Sequence, residues 1–273
     1  MAFDLFNPTK GEDVVRVGPL RALRWIGASP RFSQTVLLIH GVWVGAHVWR
    51  QLGPYLARHG YTTYAVWLRH HYPGADHGRL NGVGLRDYAY DIVEAVDELN
   101  GPVLIGNSMG GIIAQIATAI SNPAGLGLLS SAPPLGIPAI PRLSFLASAT
   151  RHFFGDFVGR QPMGPFGDRI FHEHLHREQR EALAGNAVFE PRRVARQLAF
   201  WPPHVRRSHV RCPIFVAGGD DDPIITPWQT RQIGRRYQVV PTLYEGRGHM
   251  PQLEPSWEVV GDDLMRWMNR FVG

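Results

Sequence analysis

The sequence predicts an α/β fold with a mostly parallel central sheet, helices on both faces and an inserted helical cap. Short β-type runs alternate with helical patterns along most of the 273 residues. This alternation stops near residue 133 and resumes near 206. A chain of this length with 44% hydrophobic residues can bury one sizeable core. We therefore expect a core formed by residues 1–132 and 206–273, interrupted by a helical cap at 133–205.

The elements of the first half follow from β-rich runs and helical periodicity. "VVRV" and "LRALRWIG" predict an antiparallel hairpin, and "TVLLIHG" (35–41), "TTYAVWL" and "PVLIGN" predict strands. Residues 47–59 predict a helix interrupted by Pro54, and 109–120 predict another helix. A helix over 85–99 is predicted because its apolar residues recur at i, i+3, i+4 and i+7. These core residues are Leu85, Tyr88, Ala89, Ile92, Val93, Val96 and Leu99.

The second half contains the predicted cap between two stretches of sheet pattern. "GLGLLSSA" predicts a strand that ends the first stretch. The cap opens with the proline-rich "SAPPLGIPAIPRL", holds several helical stretches without a convincing strand, and contains 8 of the 13 Phe residues. The pattern resumes with a strand at "PIFVAGG" (213–219) and a helix near 227–237. The strand "VVPTLYEG" and a closing helix from Trp257 complete the fold.

The composition excludes several mechanisms. Of 28 basic residues only Lys10 is a lysine, so the chain has no phosphate-binding Gly-Lys-Ser/Thr motif, no plausible Schiff-base lysine and no Ser-x-x-Lys pair. The basic residues are spread along the chain, so we expect no nucleic-acid partner. Cys212 is the only cysteine, which excludes a disulfide framework and predicts a buried strand start.

No apolar run reaches the roughly 18 residues that span a bilayer. The first fifteen residues, "MAFDLFNPTKGEDVV", lack the apolar core of a signal peptide. The expectation is therefore a cytoplasmic protein without a membrane partner.

The stretch "GNSMGG" (106–111) lies where a predicted strand turns sharply into a predicted helix. Ser108 at its centre would project into the crevice beyond the carboxyl ends of the strands. Gly106 and Gly110 fit such a turn, because larger side chains would crowd the neighbouring backbone. The start of the helix offers NH groups to developing negative charge. The position predicts a nucleophilic serine.

A serine hydroxyl requires a base to take its proton and an acid to orient that base. Both residue types follow later predicted strands, in the order Ser, Asp, His. "GGDDDPIITP" contains three adjacent aspartates, and "GRGHMPQLEP" contains His249. His249 follows a Gly-rich turn directly after a strand, which makes it the strongest of the 13 histidines as the base.

These motifs, together with "HGVW", resemble the α/β-hydrolase superfamily and its serine esterase and lipase-like members. The resemblance covers nearly the whole chain except the cap. It implies a G-x-x-D spacing for the acid, which selects Asp222 when counted from Gly219. It also implies an oxyanion hole formed by the backbone NH groups of Val42 and Met109, with His40 supporting or lining the pocket.

"HGVWVGAHVW" and "GHMP" are similar to the branch that holds plant methyl esterases and hydroxynitrile lyases. The lyases place a lysine after the histidine, where this chain has Met250, so an esterase is favoured. We expect cleavage of a carboxylic ester or related acyl bond through an acyl-enzyme, with no metal or organic cofactor. The Phe-rich cap favours a small apolar or aromatic substrate. The predicted pocket residues are Trp43, Asn107, Phe145, Phe153, Trp201 and Met250.

The sequence leaves two alternatives to an esterase open. The same triad serves lactonases, thioesterases, acyltransferases and hydroxynitrile lyases. The second alternative is a ligand-binding protein on a hydrolase scaffold that does not turn over, because a fold does not establish an activity.

Two histidine-rich stretches offer competing sites. "HEHLH" (172–176) matches the H-E-x-x-H zinc pattern on a helix, in which His172 and His176 would share a metal and Glu173 would act as base. No third ligand is obvious beyond Glu190, so a solvated helix face is favoured.

The second stretch, "RHHYPGADHG" (69–78), is predicted to be a solvated loop rather than a polar rim or metal site. Its candidate polar residues are His70, His71, Asp76 and His77. Glu254, followed by Pro255, is predicted to start the last helix rather than to take part in chemistry.

Overall fold

The computed structural model describes residues 9–139 and 174–272. Within these residues, eight strands form one sheet in the order β1-β2-β4-β3-β5-β6-β7-β8. Strand β2 pairs antiparallel with β1 and β4, and the other neighbouring strands are parallel. The strands are β1 (Glu12–Val17), β2 (Leu20–Trp25), β3 (Val36–Ile39), β4 (Thr63–Trp67), β5 (Val103–Asn107), β6 (Gly125–Leu129), β7 (Ile214–Gly219) and β8 (Thr242–Tyr244).

Seven α-helices accompany the sheet in the described part of the chain. They are α1 (Leu52–Arg58), α2 (Leu85–Glu98), α3 (Met109–Thr118), α4 (Arg177–Gly185), α5 (Arg192–Ala199), α6 (Pro227–Tyr237) and α7 (Glu258–Met268). The predicted α/β class, with its opening hairpin and mostly parallel sheet, is confirmed. Helices α4 and α5 fall in the region predicted as the cap; the cap's boundaries at 133 and 205 stay a prediction.

The central strands are buried on both faces, so their side chains enter two apolar layers alternately. In β3, Val36 and Leu38 pack in one layer, whereas Leu37 and Ile39 pack in the other. Helices α2, α3 and α6 cover the layer of Leu37, and α1 and α7 cover the opposite layer. Because β3, β5, β6, β7 and β8 are parallel, their carboxyl ends meet along one edge of the sheet.

Several predicted bounds are wrong. The helix predicted over 47–59 is a 3-10 turn (Ala46–Trp49) followed by α1, so the interruption precedes Pro54. Pro54 lies in the first turn of α1, where a missing NH costs no intrahelical hydrogen bond. The strand predicted at "GLGLLSSA" ends at Leu129, because Ser130 has a φ of 43°. The strand predicted at "VVPTLYEG" is confined to the three residues of β8.

Lys10 is exposed in the turn that precedes β1, the outermost strand of the antiparallel edge.

No helix within residues 9–139 and 174–272 combines the length and apolar character needed to cross a bilayer.

Candidate active site

Ser108 occupies the sharp turn between β5 and α3. Its φ of 56° lies in the left-handed region, which is strained for a residue with a Cβ. Its NH donates to the carbonyl of Leu129 over 3.1 Å, which ties the turn to the end of β6. A Cβ at Gly106 would lie 2.3 Å from the carbonyl oxygen of Gly110, and one at Gly110 would lie 2.1 Å from that of Ile39. Only glycine fits either position, so the two glycines permit the sharp turn that holds Ser108.

His249 lies between Ser108 and Asp222 in one hydrogen-bonded chain. Its Nε2 is 2.9 Å from Ser108 Oγ, and its Nδ1 is 2.8 Å from Asp222 Oδ2. The other carboxylate oxygen of Asp222 accepts NH groups from Ile224 and Ile225 at 2.8 and 3.0 Å. A carboxylate only accepts, so Nδ1 carries the proton and Nε2 can accept the proton of the serine hydroxyl.

The three adjacent aspartates after β7 have different partners. Asp220 accepts the backbone NH of Gly246 at 2.8 Å, and Asp221 Oδ2 is 3.3 Å from His174 Nε2. The Asp221 side chain is 48% exposed, whereas that of Asp222 is fully buried. Of the three, the structure brings Asp222 into contact with the His249 ring.

The loop after β3 passes beside Ser108. A Cβ at Gly41 would lie 3.0 Å from Ser108 Cβ. His40 is neutral because burial lowers its pKa well below the usual value. Its Nδ1 donates to the Gly41 carbonyl at 2.8 Å, and its Nε2 accepts the NH of Leu68 at 3.1 Å. The Gly41 carbonyl and the Val42 NH belong to one trans peptide, so they point in opposite directions and His40 orients both.

Met109 and Asn107 flank the serine. Met109 is the first residue of α3, so its NH belongs to the helical turn that lacks intrahelical acceptors. Asn107 is 1% exposed, and its Nδ2 donates to the carbonyls of Leu129 and His249 at 3.1 and 3.2 Å. The predicted pocket residue Asn107 therefore holds the end of β5 to the loop that carries His249.

The other predicted pocket residues are distributed differently. Trp43 has a φ of 60°, and its carbonyl accepts the NH of Val188 at 2.9 Å. Met250 is 2% exposed next to His249. Trp201 is 68% exposed and lies edge-on against Phe200, with ring centroids 5.8 Å apart. Two further residues, Phe145 and Phe153, lie outside the described residues. The role of this set in substrate binding stays a prediction.

A second buried histidine–carboxylate pair joins the segment 69–78, which the sequence predicted to be a solvated loop, to Glu190. That prediction is wrong for His71, which is 2% exposed. Its Nε2 is 2.8 Å from Glu190 Oε1, and its Nδ1 donates to the carbonyl of Arg69 at 2.9 Å. Tyr88 OH donates to the second oxygen of Glu190 at 3.2 Å. Burial opposes the charge of His71, but the carboxylate of Glu190 and the backbone carbonyls of Arg69 and Leu68 together raise the pKa of His71.

The H-E-x-x-H stretch does not form the predicted helix over its described part. His174 lies in a turn facing Asp221, and His176 precedes the start of α4 at Arg177. Glu190, the possible third ligand, is paired with His71. In the described ranges there is no group of three or more His, Cys, Asp or Glu residues suited to hold a metal ion. Outside the described residues lie His172 and Glu173.

The prediction that Glu254 starts the last helix is also wrong, because α7 begins at Glu258. Glu254 is 1% exposed. Its Oε2 accepts the NH of Gly248 at 2.7 Å, and its Oε1 accepts the NH of Met250 at 3.0 Å. Sequence reasoning missed these contacts, although an acidic residue five positions after His249 was visible in "HMPQLE".

Cys212 precedes β7, so it lies at the amino ends of the parallel strands, opposite the carboxyl ends that carry Ser108, Asp222 and His249. It lines a surface groove of about 510 Å³ together with residues 118–124 that precede β6. The thiol is half-buried rather than fully buried, and burial raises its pKa to about 11. A thiol that remains protonated at neutral pH is a poor nucleophile.

Residues 36–260 match the sequence model described as the alpha/beta hydrolase family. Among curated proteins, none matches the sequence significantly.

Solved structures with a similar fold include three enzymes. A thermophilic esterase from Thermogutta terrifontis is 20% identical, with a TM-score of 0.71, and the match covers 96% of this chain and 100% of the esterase. The 2-hydroxy-6-oxo-6-phenylhexa-2,4-dienoate hydrolase from Rhodococcus sp. strain RHA1 is 18% identical, with a TM-score of 0.67 and coverage of 94% and 98%. The thioesterase domain from the curacin biosynthetic pathway is 19% identical, with a TM-score of 0.65 and coverage of 93% and 98%.

Proposed function

The chain belongs to the alpha/beta hydrolase family, and we propose that it is a serine hydrolase acting on a carboxylic ester or related acyl bond of a small apolar or aromatic molecule. The observation that carries the proposal is the continuous chain from Ser108 Oγ through His249 to Asp222, with distances of 2.9 and 2.8 Å. Three side chains from three strand ends meet there in the donor and acceptor order that nucleophilic catalysis requires.

In the first half of the reaction, Ser108 Oγ attacks the carbonyl carbon and His249 Nε2 takes the hydroxyl proton. The carboxylate of Asp222 holds the Nδ1 proton and stabilises the imidazolium that forms. When the tetrahedral intermediate collapses, the bond from carbon to the leaving oxygen breaks and His249 gives its proton to the departing alcohol. The acyl group remains on Ser108.

In the second half, His249 takes a proton from water, and the resulting hydroxide attacks the acyl-enzyme. The bond to Ser108 Oγ then breaks and His249 returns the proton to the serine. The acid is released, and the enzyme regains its starting protonation. This cycle requires neither a metal nor an organic cofactor.

The negative oxygen of each intermediate would be stabilised by the NH groups of Val42 and Met109. Support comes from the position of Met109 at the start of α3 and from the close approach of Gly41 to Ser108. The hydrogen bond from His40 to the Gly41 carbonyl directs the Val42 NH away from His40. Donors fixed before the reaction are worth more than donors that must reorganise during it.

An ester is favoured as the substrate class because an esterase is among the enzymes of similar fold and because Met250 replaces the lysine of the lyases. A thioesterase domain and a dienoate hydrolase also have a similar fold, so the substrate panel includes other acyl substrates besides esters. Lactonase and acyltransferase chemistry would use the same three side chains.

The test is labelling with a fluorophosphonate probe, followed by peptide mapping, on wild type and on Ser108→Ala, with and without a chelator. We expect modification of Ser108 in the wild type that survives chelation and is absent from the variant. An ester and lactone panel follows on the same samples. A folded wild type that neither labels nor hydrolyses any member would overturn the proposal and favour a binding protein; zinc-dependent turnover would overturn the mechanism.

A further inference from the structure

The loop between β8 and α7 carries His249 and contains a buried carboxylate that the proposed reaction does not use. Glu254 contacts the two residues on either side of His249, with one oxygen accepting the NH of Gly248 and the other the NH of Met250. Both oxygens are thus occupied by backbone donors of one short loop. A buried carboxylate is expensive unless it accepts several hydrogen bonds, and this one receives them from the neighbours of the catalytic candidate.

The surroundings of Gly248 show how tightly the loop is held. A Cβ at Gly248 would lie 2.5 Å from the ring of His174 and 3.1 Å from Glu254 Oε1. His174 also faces Asp221, one residue before the candidate acid Asp222. The loop that carries the base and the loop that carries the acid therefore pack against the same histidine, and no side chain fits at Gly248 between them.

The backbone of His249 is held at a third point. Its carbonyl accepts a hydrogen bond of 3.2 Å from Nδ2 of Asn107, the residue before Ser108. The peptide unit after His249 is therefore held at both its carbonyl and its NH, and the NH of Gly248 is held by the same Glu254 carboxylate. The imidazole has only two side-chain torsions, so the direction of its nitrogens depends on this backbone.

We propose that Glu254 is a positioning residue for His249, holding its loop so that Nδ1 reaches Asp222 while Nε2 reaches Ser108. The inference rests on the proposed function. A glutamate at this point suits the task because its two oxygens span two NH groups, one on each side of the histidine. Displacement of a reacting group by about 1 Å lowers rates by about 100-fold.

Two variants test the proposal on the full-length chain, with the best substrate from the ester panel. Glu254→Gln retains the shape but turns one acceptor into an NH₂ donor that faces a backbone NH; Glu254→Asp retains the charge but is one methylene too short to reach both NH groups. We expect each to lower kcat by about 10- to 100-fold while KM changes by less than about threefold. Fluorophosphonate labelling of Ser108 should slow in parallel.

Glu258→Gln is the matched control. It makes the same change at an exposed carboxylate four residues further on, and its kcat should equal that of the wild type. A purely structural Glu254 would lower the thermal midpoint without lowering kcat per folded enzyme, so both are measured.

The outcomes separate the two proposals. If the wild type labels at Ser108 and folded Glu254→Gln and Glu254→Asp keep its kcat, the positioning role is overturned while the proposed function stands. If the folded wild type neither labels nor hydrolyses, the proposed function fails first. Should neither variant fold, hydrogen exchange in the wild type decides: protected amides of Gly248 and Met250 support the role, and exchange as fast as in exposed peptides overturns it.

Discussion

Two histidine–carboxylate pairs lie buried within residues 9–139 and 174–272, and they differ in the group that the second ring nitrogen contacts. His249 and His71 each contact a carboxylate oxygen at 2.8 Å. The second nitrogen of His249 faces the hydroxyl of Ser108, which donates or accepts. The second nitrogen of His71 faces the carbonyl of Arg69, which only accepts. Both nitrogens of His71 therefore face acceptors and carry protons, whereas Nε2 of His249 can accept the proton of Ser108.

The difference shows that a buried carboxylate does not by itself make a histidine into a base. Protonation of His71 makes its contact with Glu190 an ion pair, which joins the segment after β4 to the segment before α5. His40 lies between the two pairs: it bonds to the Gly41 carbonyl, and its ring centroid is 5.2 Å from that of His71. The group at the second ring nitrogen, rather than the carboxylate, therefore determines the protonation state that each histidine can adopt.

The largest expected effect concerns the acid of the first pair. In Asp222→Asn, the amide would donate to Nδ1 of His249 and move the ring proton to Nε2, where it blocks transfer from Ser108. We expect kcat to fall by about 10⁴-fold. Asp221→Asn is the matched control, since its side chain is 48% exposed and its contact with His174 is worth little; the loss should stay below about tenfold. Equal losses in steady-state rates would contradict the assignment of the acid.

The second pair should control stability instead of rate. His71→Gln leaves the Glu190 carboxylate buried without its ionic partner, which is expected to lower the free energy of unfolding by about 3–5 kcal/mol. The double variant His71→Leu/Glu190→Leu removes both charges, so it should lose less than the single variant. Urea unfolding followed by fluorescence measures both. A double variant as unstable as the single one would show that the ion pair is not the source of the loss.

A smaller effect is expected at His40, between the pairs. His40→Phe keeps an aromatic ring but removes the bond that orients the Gly41–Val42 peptide. We expect kcat to fall by about 10- to 100-fold. This loss does not exceed the roughly 100- to 1000-fold loss that follows removal of a whole oxyanion donor. His47→Phe is the control, because His47 is another buried neutral histidine, with burial lowering its pKa to about 3. An unchanged kcat in His40→Phe would exclude the proposed link to the Val42 NH.

The smallest effect is a pH dependence. The pKa of folded His71 is raised above the ordinary value of about 6.5 by Glu190, against the cost of burial. Its contribution to stability is therefore fully present below pH 6.5 and is lost as the pH rises through the folded pKa. The free energy of unfolding of the wild type should decline relative to His71→Leu/Glu190→Leu as the pH rises from about 6.5 through the folded pKa of His71. A difference that stays constant over this range would mean that His71 does not hold its extra proton.

The fold and the sharp turn at Ser108 were predictable because their signals are local. The glycines that permit the conformation of Ser108 lie two positions on either side of it, and the strand and helix patterns adjoin them. The choice of Asp222 as the acid required the G-x-x-D spacing of the resembling family, because three adjacent aspartates in one turn cannot be distinguished by residue type. In the structure, a Cβ at Gly219 would lie 2.1 Å from the carbonyl oxygen of Arg247, so this glycine sets how the two loops meet.

The remaining contacts were not predictable because they join distant parts of the chain. His71 and Glu190 are 119 positions apart, and His71 lies in a polar stretch with the composition of a solvated loop. Glu254 was assigned to the start of a helix because Pro255 follows it; its carboxylate instead turns back to the His249 loop, which no periodicity encodes.

The single lysine of the chain has a practical consequence for handling the protein. Lys10 is exposed beside β1, which is separated from β5 and its serine turn by three strands of the sheet. Neighbouring strands are about 4.8 Å apart, so the lysine lies at the far margin of the sheet from the crevice. Reagents that couple to lysine side chains would attach there, and the α-amino group is the other amine that they can reach. Lys10→Arg would therefore remove the only side-chain amine without touching the Ser108–His249–Asp222 site.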